Sequence, residues 1–224
     1  MDLGTIGTIL IIIIIIVIVI RLLNKKKIIY QMTSSKEQVI DASTLELSTT
    51  NTQHSTYSIW FYISDWSINF GEKKYIFKRE LGSVSSLDVY LHETVPQLSI
   101  KVKVLSNDSN FKTCTLSGIE LQKWNSLIFS INTSTIDIYM NGEMVQSQYL
   151  EGIVNIDSNA NVIISPGGVG FNGWNSKFQY WTQYMNPNQV KNIYNQGHGA
   201  SQEKDLRVNI SLYKGDVRRA NIVI

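Results

Sequence analysis

The chain holds three histidines, one cysteine and 18 carboxylates, and few of them stand at a spacing that does chemistry. His54, His92 and His198 are scattered, without the short gaps of a zinc site, and each reads as a surface or turn histidine. Cys114 lies in an alternating segment and reads as a small core residue rather than half of a Cys/His nucleophilic pair. A glycosidase on a β-sheet needs two carboxylates about 5 Å apart, hence an E-x-D-x-E alternation on one strand. No such string exists: Asp137 has no acidic neighbour two residues away, and Glu143 lies beyond a turn. The expectation is that the chain is not an enzyme. Pro166-Gly167-Gly168-Val169-Gly170 has the glycines of a phosphate cradle but not the Lys-Ser/Thr that would follow, and reads as a turn.

What remains is aromatic. Trp66, Trp174 and Trp181, with Tyr180 and Tyr184, offer flat apolar faces of the kind that stack on sugar rings. Trp174 stands between Asn172 and Asn175 beside Gly173, the most lectin-like place in the chain. Asn172, Trp174, Asn175 and Trp181 are therefore the candidate binding residues. Core packing and an interface anchor are the competing roles for the same side chains.

The elements that must position these residues have a period of two. Tyr57, Ile59, Phe61 and Ile63 share one face of a segment whose other face carries Ser58, Trp60 and Tyr62. Leu98, Ile100, Val102 and Val104 alternate with Ser99, Lys101 and Lys103, the mark of a strand with one wet face. Trp124 opens a strand through Ile131, a polar turn over 132–135 leads back through Ile136, Ile138 and Met140, and Asn141-Gly142 supplies the next two-residue turn. Further strands are predicted over 75–78, 87–91, 111–116, 143–148, 162–165, 178–182, 208–213 and 220–224. One helix interrupts them, with Asn186 as N-cap, Pro187 first, Val190, Ile193 and Tyr194 on one face and Gly197 past its end. The pattern predicts an all-β fold of two packed antiparallel sheets.

Ahead of this domain, twelve consecutive residues from Ile9 to Ile20 are isoleucine, leucine or valine. The uncharged stretch from Leu3 gives ~27 Å of helix, enough to span a bilayer core with the help of Leu22, Leu23 and a snorkelling Arg21. One N-terminal transmembrane helix is expected, with Ile9, Ile12, Ile16 and Ile20 in lipid and Arg21, Lys25, Lys26 and Lys27 at its boundary. The basic residues all follow the segment, which puts the N-terminus outside and the C-terminal domain in the cytosol. Three sequons, beginning at Asn107, Asn132 and Asn209, argue for the opposite face if they carry glycans. Of the formal charge of +2, residues 1–27 contribute +3 (four basic side chains against Asp2), leaving −1 for the rest. A domain this close to neutral offers no nucleic-acid surface. The expected organisation is an anchor over 1–27, a juxtamembrane linker over 28–36, a sandwich over 37–213 and an extension over 214–224.

Three strings in order resemble one family. WNSLIFSINTSTIDIYMNGEMV (124–145) is similar to the stretch of laminin G-like domains in which a tryptophan begins a strand and an Asn-Gly turn follows the next. STYSIWFYI (55–63) resembles the early core strand, and FNGWNSKFQYWTQYMNPNQVKNIYNQG (171–197) resembles the ending with its short helix. The resemblance is to the concanavalin A-like lectin/glucanase superfamily and covers residues from about 36 to 213. It implies a jelly-roll sandwich with one concave sheet, but no activity, because function on such folds lives in grafted sites. Calcium sites occur in many such relatives; here Asp108 and Asp157 each bring one carboxylate to their loops, a poor cage. No cofactor is therefore expected, calcium being the one ion left open.

The combination of an uncleaved anchor and a domain without catalytic carboxylates predicts a structural or interaction protein, one end in membrane lipid and the other on a protein layer. Isoleucine- and asparagine-rich chains of this build resemble minor capsid proteins of large DNA viruses, which makes capsid proteins the implied partners and an internal virion membrane the implied location. The alternative is a membrane-anchored, lectin-like module with carbohydrate as its partner.

Overall fold

The computed structural model describes residues 32–33, 36–45, 54–105, 111–168, 170–199, 209–214 and 217–223. The expected membrane anchor, with Ile9, Ile12, Ile16, Ile20, Arg21, Lys25, Lys26 and Lys27, lies outside them, and so does Asp108. Among the described residues no helix is long and apolar enough to cross a membrane.

The strands are β1 (Met32–Thr33), β2 (Gln38–Ile40), β3 (His54–Asp65), β4 (Lys74–Leu81), β5 (Val84–Leu91), β6 (Gln97–Leu105), β7 (Phe111–Ser117), β8 (Trp124–Asn132), β9 (Thr135–Met140), β10 (Glu143–Tyr149), β11 (Ile153–Val154), β12 (Asn161–Ile164), β13 (Asn172–Trp181), β14 (Asn209–Lys214) and β15 (Val217–Val223). One sheet has the order β1-β13-β3-β8-β9-β10; the other runs β11-β6-β5-β4-β12-β2, with β7 also on β6. All pairings are antiparallel. The molecule is an all-β, two-sheet antiparallel sandwich, as the period of two requires.

The core lies between the sheets. Tyr57, Ile59, Phe61 and Ile63 of β3 and Leu127, Phe129 and Ile131 of β8 face Phe77, Leu87, Val89 and the four alternating residues of β6, all buried. Tyr57 stacks on Phe129 at 5.0 Å, and Phe77 meets Phe178 edge-on at 5.2 Å. Cys114 is buried here, and burial pushes its thiol up to about 11.

Arg79 is the unusual member of this interior. It is 2% exposed, and its guanidinium donates to the carbonyls of Asp157 (3.2 Å), Ser158 (3.3 Å) and Ala160 (2.8 Å) and to Tyr57 Oη (3.3 Å). The loop over 157–160 is thus folded around a cation of the chain itself.

Among the described residues the one α-helix, α1 (Pro187–Tyr194), begins as expected. Asn186 Oδ1 accepts from the Gln189 amide (3.1 Å) and Gln189 Oε1 accepts from the Asn186 amide (3.0 Å), a reciprocal capping box. Its apolar side, Val190 and Ile193, packs with Trp181 and Met185 on Ile128 and Tyr139, the outward residues of β8 and β9. The Asn141-Gly142 turn has positive φ at both residues (52° and 81°), and a Cβ on Gly142 would fall 2.6 Å from Tyr194 Cδ1. Glycine therefore serves both the turn and the seat of the helix.

Three boundaries differ from expectation. β13 starts at Asn172 rather than 178, because irregularities at Asn172/Gly173 and Ser176/Gln179 break its alternation. β1 falls inside the expected linker. β14 pairs with β15 and with neither large sheet, so the expected boundary after Tyr213 cuts through a hairpin.

Candidate functional site

The outer face of the six-stranded sheet carries the aromatic residues that the core does not use. Cross-strand register aligns Trp174 of β13, Tyr62 of β3 and Trp124 of β8 in one row. Tyr62 touches both neighbours, at 5.2 Å from Trp174 and 5.7 Å from Trp124, with rings inclined near 60° (58° and 61°). One step along the strands, the register aligns Ser176, Trp60 and Ser126. Trp60 stacks on Tyr194 of α1 at 5.4 Å and 15°.

Trp174 is the member of this row that faces solvent, at 36% exposure. Its direction is set by its neighbour. A Cβ on Gly173 would lie 1.7 Å from the Tyr62 carbonyl oxygen, so only glycine lets the β13 backbone approach β3 this closely at the irregularity.

The four candidate binding residues do not form one patch. Asn172 donates to the Asp65 carboxylate at the loop end of the sheet, and hydrogen bonds from Ser67 and Asn172 hold that carboxyl below its usual range. Asn175 points the other way: it is buried and donates to Ser165 Oγ at 3.0 Å. Strand alternation puts Trp174 and Asn175 on opposite faces, which corrects their grouping. Trp181 returns to the outer face but at the far end of β13, buried beneath α1. Trp174 alone of the four offers an open aromatic surface.

Residues with no sequence signal complete the site. Beyond α1, the chain lies back over the aromatic face: His198 stacks on Trp124 at 4.5 Å and 10° and meets Trp60 edge-on at 5.7 Å. Ser176 Oγ donates to the His198 carbonyl. Lys177, at φ 51° inside the second irregularity of β13, donates its Nζ to the carbonyls of Gln196 (3.1 Å) and Gly197 (2.9 Å). Burial lowers the Lys177 pKa, and burial together with the Lys177 charge lowers that of His198.

The remaining titratable residues stand apart from this face. Lys74 is buried on the carbonyls of Glu93 (2.9 Å) and Glu72 (3.3 Å), and burial lowers its pKa. Asp137 accepts from Ser147 Oγ and Tyr184 Oη, the latter at 2.7 Å, which fastens the loop before α1 to β9. In the glycine turn after Ser165, the Gly167 amide is taken by the Glu37 carboxylate. Among the described residues no group of three or more His, Cys, Asp or Glu side chains is placed to hold a metal ion.

Comparison with known proteins agrees with the fold. Residues 34–191 match the family model described as the concanavalin A-like lectin/glucanases superfamily. No curated protein matches the chain. Among solved structures, the botulinum neurotoxin serotype D ligand binding domain in complex with N-acetylneuraminic acid is similar at 16% identity and a TM-score of 0.58, over 75% of this chain and 42% of that one. The binding domain of Paraclostridial Mosquitocidal Protein 1 is similar at 14% identity and a TM-score of 0.56, over 77% and 46%. The receptor binding domain of the botulinum neurotoxin C/D mosaic serotype follows at 12% identity and a TM-score of 0.53, over 75% and 51%. The chain thus spans about half the length of these structures or less, and at such identities the likeness is one of fold.

Proposed function

Because the chain belongs to the concanavalin A-like lectin/glucanases superfamily, we propose that it is a non-enzymatic binding module, held at a membrane by residues 1–27, whose Trp174 face recognises carbohydrate. The observation that carries this reading is the exposed indole of Trp174 at the head of the row it forms with Tyr62 and Trp124. A flat apolar ring on a rigid strand, backed by further rings, is what the apolar face of a pyranose stacks on. The similar structures are binding domains of toxins, one of them solved with N-acetylneuraminic acid. The anchor is supported by the unbroken aliphatic run from Ile9 to Ile20 and its basic flank. A glycan array probed with the full chain in detergent micelles tests the reading. Binding that Trp174→Ala abolishes supports it; flat arrays for both proteins end it.

A second reading replaces carbohydrate by a protein layer, such as a capsid shell, on the cytosolic face. It is favoured by the basic flank of the anchor and by the edge strand β10, which leaves Met144, Val145 and Tyr149 exposed. The two readings require opposite topologies. Asn132 is exposed at the β8–β9 turn and begins a sequon, so a glycosidase mobility shift lost in Asn132→Gln favours the carbohydrate reading. An unshifted band favours the protein layer.

A further inference from the structure

Beside the aromatic row lies a row of a different kind. The register continues from Ser176–Trp60–Ser126 to Gln179–Ser58–Ile128, all on the outward face. Ser58, Ser126 and Gln179 are 1%, 0% and 4% exposed, and Ser58 Oγ, Ser126 Oγ and Gln179 Oε1 have no hydrogen-bond partner among the described residues. Buried polar atoms are nearly always satisfied, by protein or by ordered water. Three orphans in two adjacent rows of one face mark a place where hydroxyl groups, of water or of a sugar, would be held.

Two elements close this place, the end of α1 and the segment that follows it. Tyr194 lies on Trp60, and His198 lies on Trp124 and against Trp60. The His198 segment is fastened through its backbone by Ser176 and Lys177. Gly197 and Gly199 flank it with φ of 68° and 79°, and a Cβ on either would meet nothing within 4 Å. The two glycines leave the backbone on either side of His198 free to turn once its ring contacts and the hydrogen bonds from Ser176 and Lys177 are released.

We propose that Ser58, Ser126 and Gln179 floor a second carbohydrate subsite, continuous with the aromatic row and closed by Tyr194 at the end of α1 together with the Gly197–His198–Gly199 segment. The proposal rests on the carbohydrate reading of the Trp174 face. A sugar ring has an apolar face and a rim of hydroxyls. Trp124 takes the face once His198 lifts, while Trp60 keeps Tyr194 on its own ring; the serine hydroxyls both donate and accept, and Gln179 Oε1 accepts, which suits the rim. With the cover down, Trp174 holds a single terminal sugar. With it raised, the groove extends across β3 and β8 and selects a longer chain.

The test uses the full chain in detergent micelles with two readouts. Acrylamide quenching of tryptophan fluorescence needs no sugar, and rises in His198→Ala if the cover lifts; unchanged quenching in both His198→Ala and Ser176→Ala overturns the proposal. Titration with mono- and tetrasaccharides drawn from array hits is the second readout. His198→Ala gains about tenfold in affinity for the tetrasaccharide and nothing for the monosaccharide, and Ser58→Ala in that background removes the gain. Since Ser58→Ala deletes an orphan hydroxyl, it leaves thermal stability unchanged, so loss of the gain does not reflect misfolding. Raised quenching with tetrasaccharide affinity unchanged means that the floor holds ordered water only. That overturns the subsite while Trp174-dependent monosaccharide binding still stands. If no saccharide binds any variant, the carbohydrate reading fails and takes the subsite with it.

Discussion

The imidazole of His198 lies flat on the indole of Trp124, 4.5 Å away and 10° from parallel, and so joins the end of the helical segment to the first residue of a central strand. Titratable side chains around this stack include Lys177 from β13, through its charge, Tyr194 from α1, through their shared contact with Trp60, and Tyr62 from β3, which touches Trp124.

That stack should make stability depend on mild acid. Burial and the Lys177 charge hold the His198 pKa below its ordinary value, so the unfolded chain takes up the proton first as pH falls. Stability is then flat above about pH 6.5 and declines between that value and the lower folded one. Asp65 and Glu151, held down by hydrogen bonds from Ser67 and Lys112 respectively, add their losses only below about pH 4. Thermal melts between pH 7.5 and 5 should show a falling Tm that His198→Gln flattens. An equal slope in that variant would assign the effect to other groups.

Trp174→Ala should separate binding from folding. The indole is 36% exposed and outside both buried clusters, so the expected stability change is within about 1 kcal/mol. Ligand binding should be lost. A large drop in the urea midpoint would show instead that Trp174 is a structural residue.

Gly173→Ala should do the reverse. The new methyl would sit 1.7 Å from the Tyr62 carbonyl oxygen, so β13 must move away from β3, at a cost of roughly 2–4 kcal/mol. Binding should fall as well, because the same movement turns Trp174. Equilibrium unfolding with an unchanged midpoint would mean that the strands part freely here.

Arg79→Met should destabilise by about 3 kcal/mol, since the Ala160 carbonyl and Tyr57 Oη lose a buried donor while the apolar volume is kept. The loop over 157–160 should become the first site cut in limited proteolysis. Wild-type resistance in that loop would show that the guanidinium does not hold it.

The sandwich was legible wherever alternation and turns repeat without interruption. The four residues of β6, the Asn141-Gly142 turn and the Asn186 cap each state their local structure in residue types alone. The candidate site was legible only at Trp174. In a regular strand Trp174 and Trp181, at an odd spacing, would face opposite ways; the irregularity at Ser176/Gln179 returns Trp181 to the outer face. β1, β2 and β11 are two or three residues long and show no period. His198 was invisible because what holds its segment are carbonyl oxygens, which every residue has. Only the fold reveals that Lys177 and Ser176 reach them.

The pairing of β1 also has a mechanical meaning. Its ladder to β13 consists of Met32 opposite Asn175 and Thr33 opposite Trp174. Tension transmitted along the chain from its N-terminal side would load this short edge before any longer strand. Peeling it away would bare the backbone edge of β13 at Trp174, so that a pull on the proposed tether would be felt first beside the candidate binding residue.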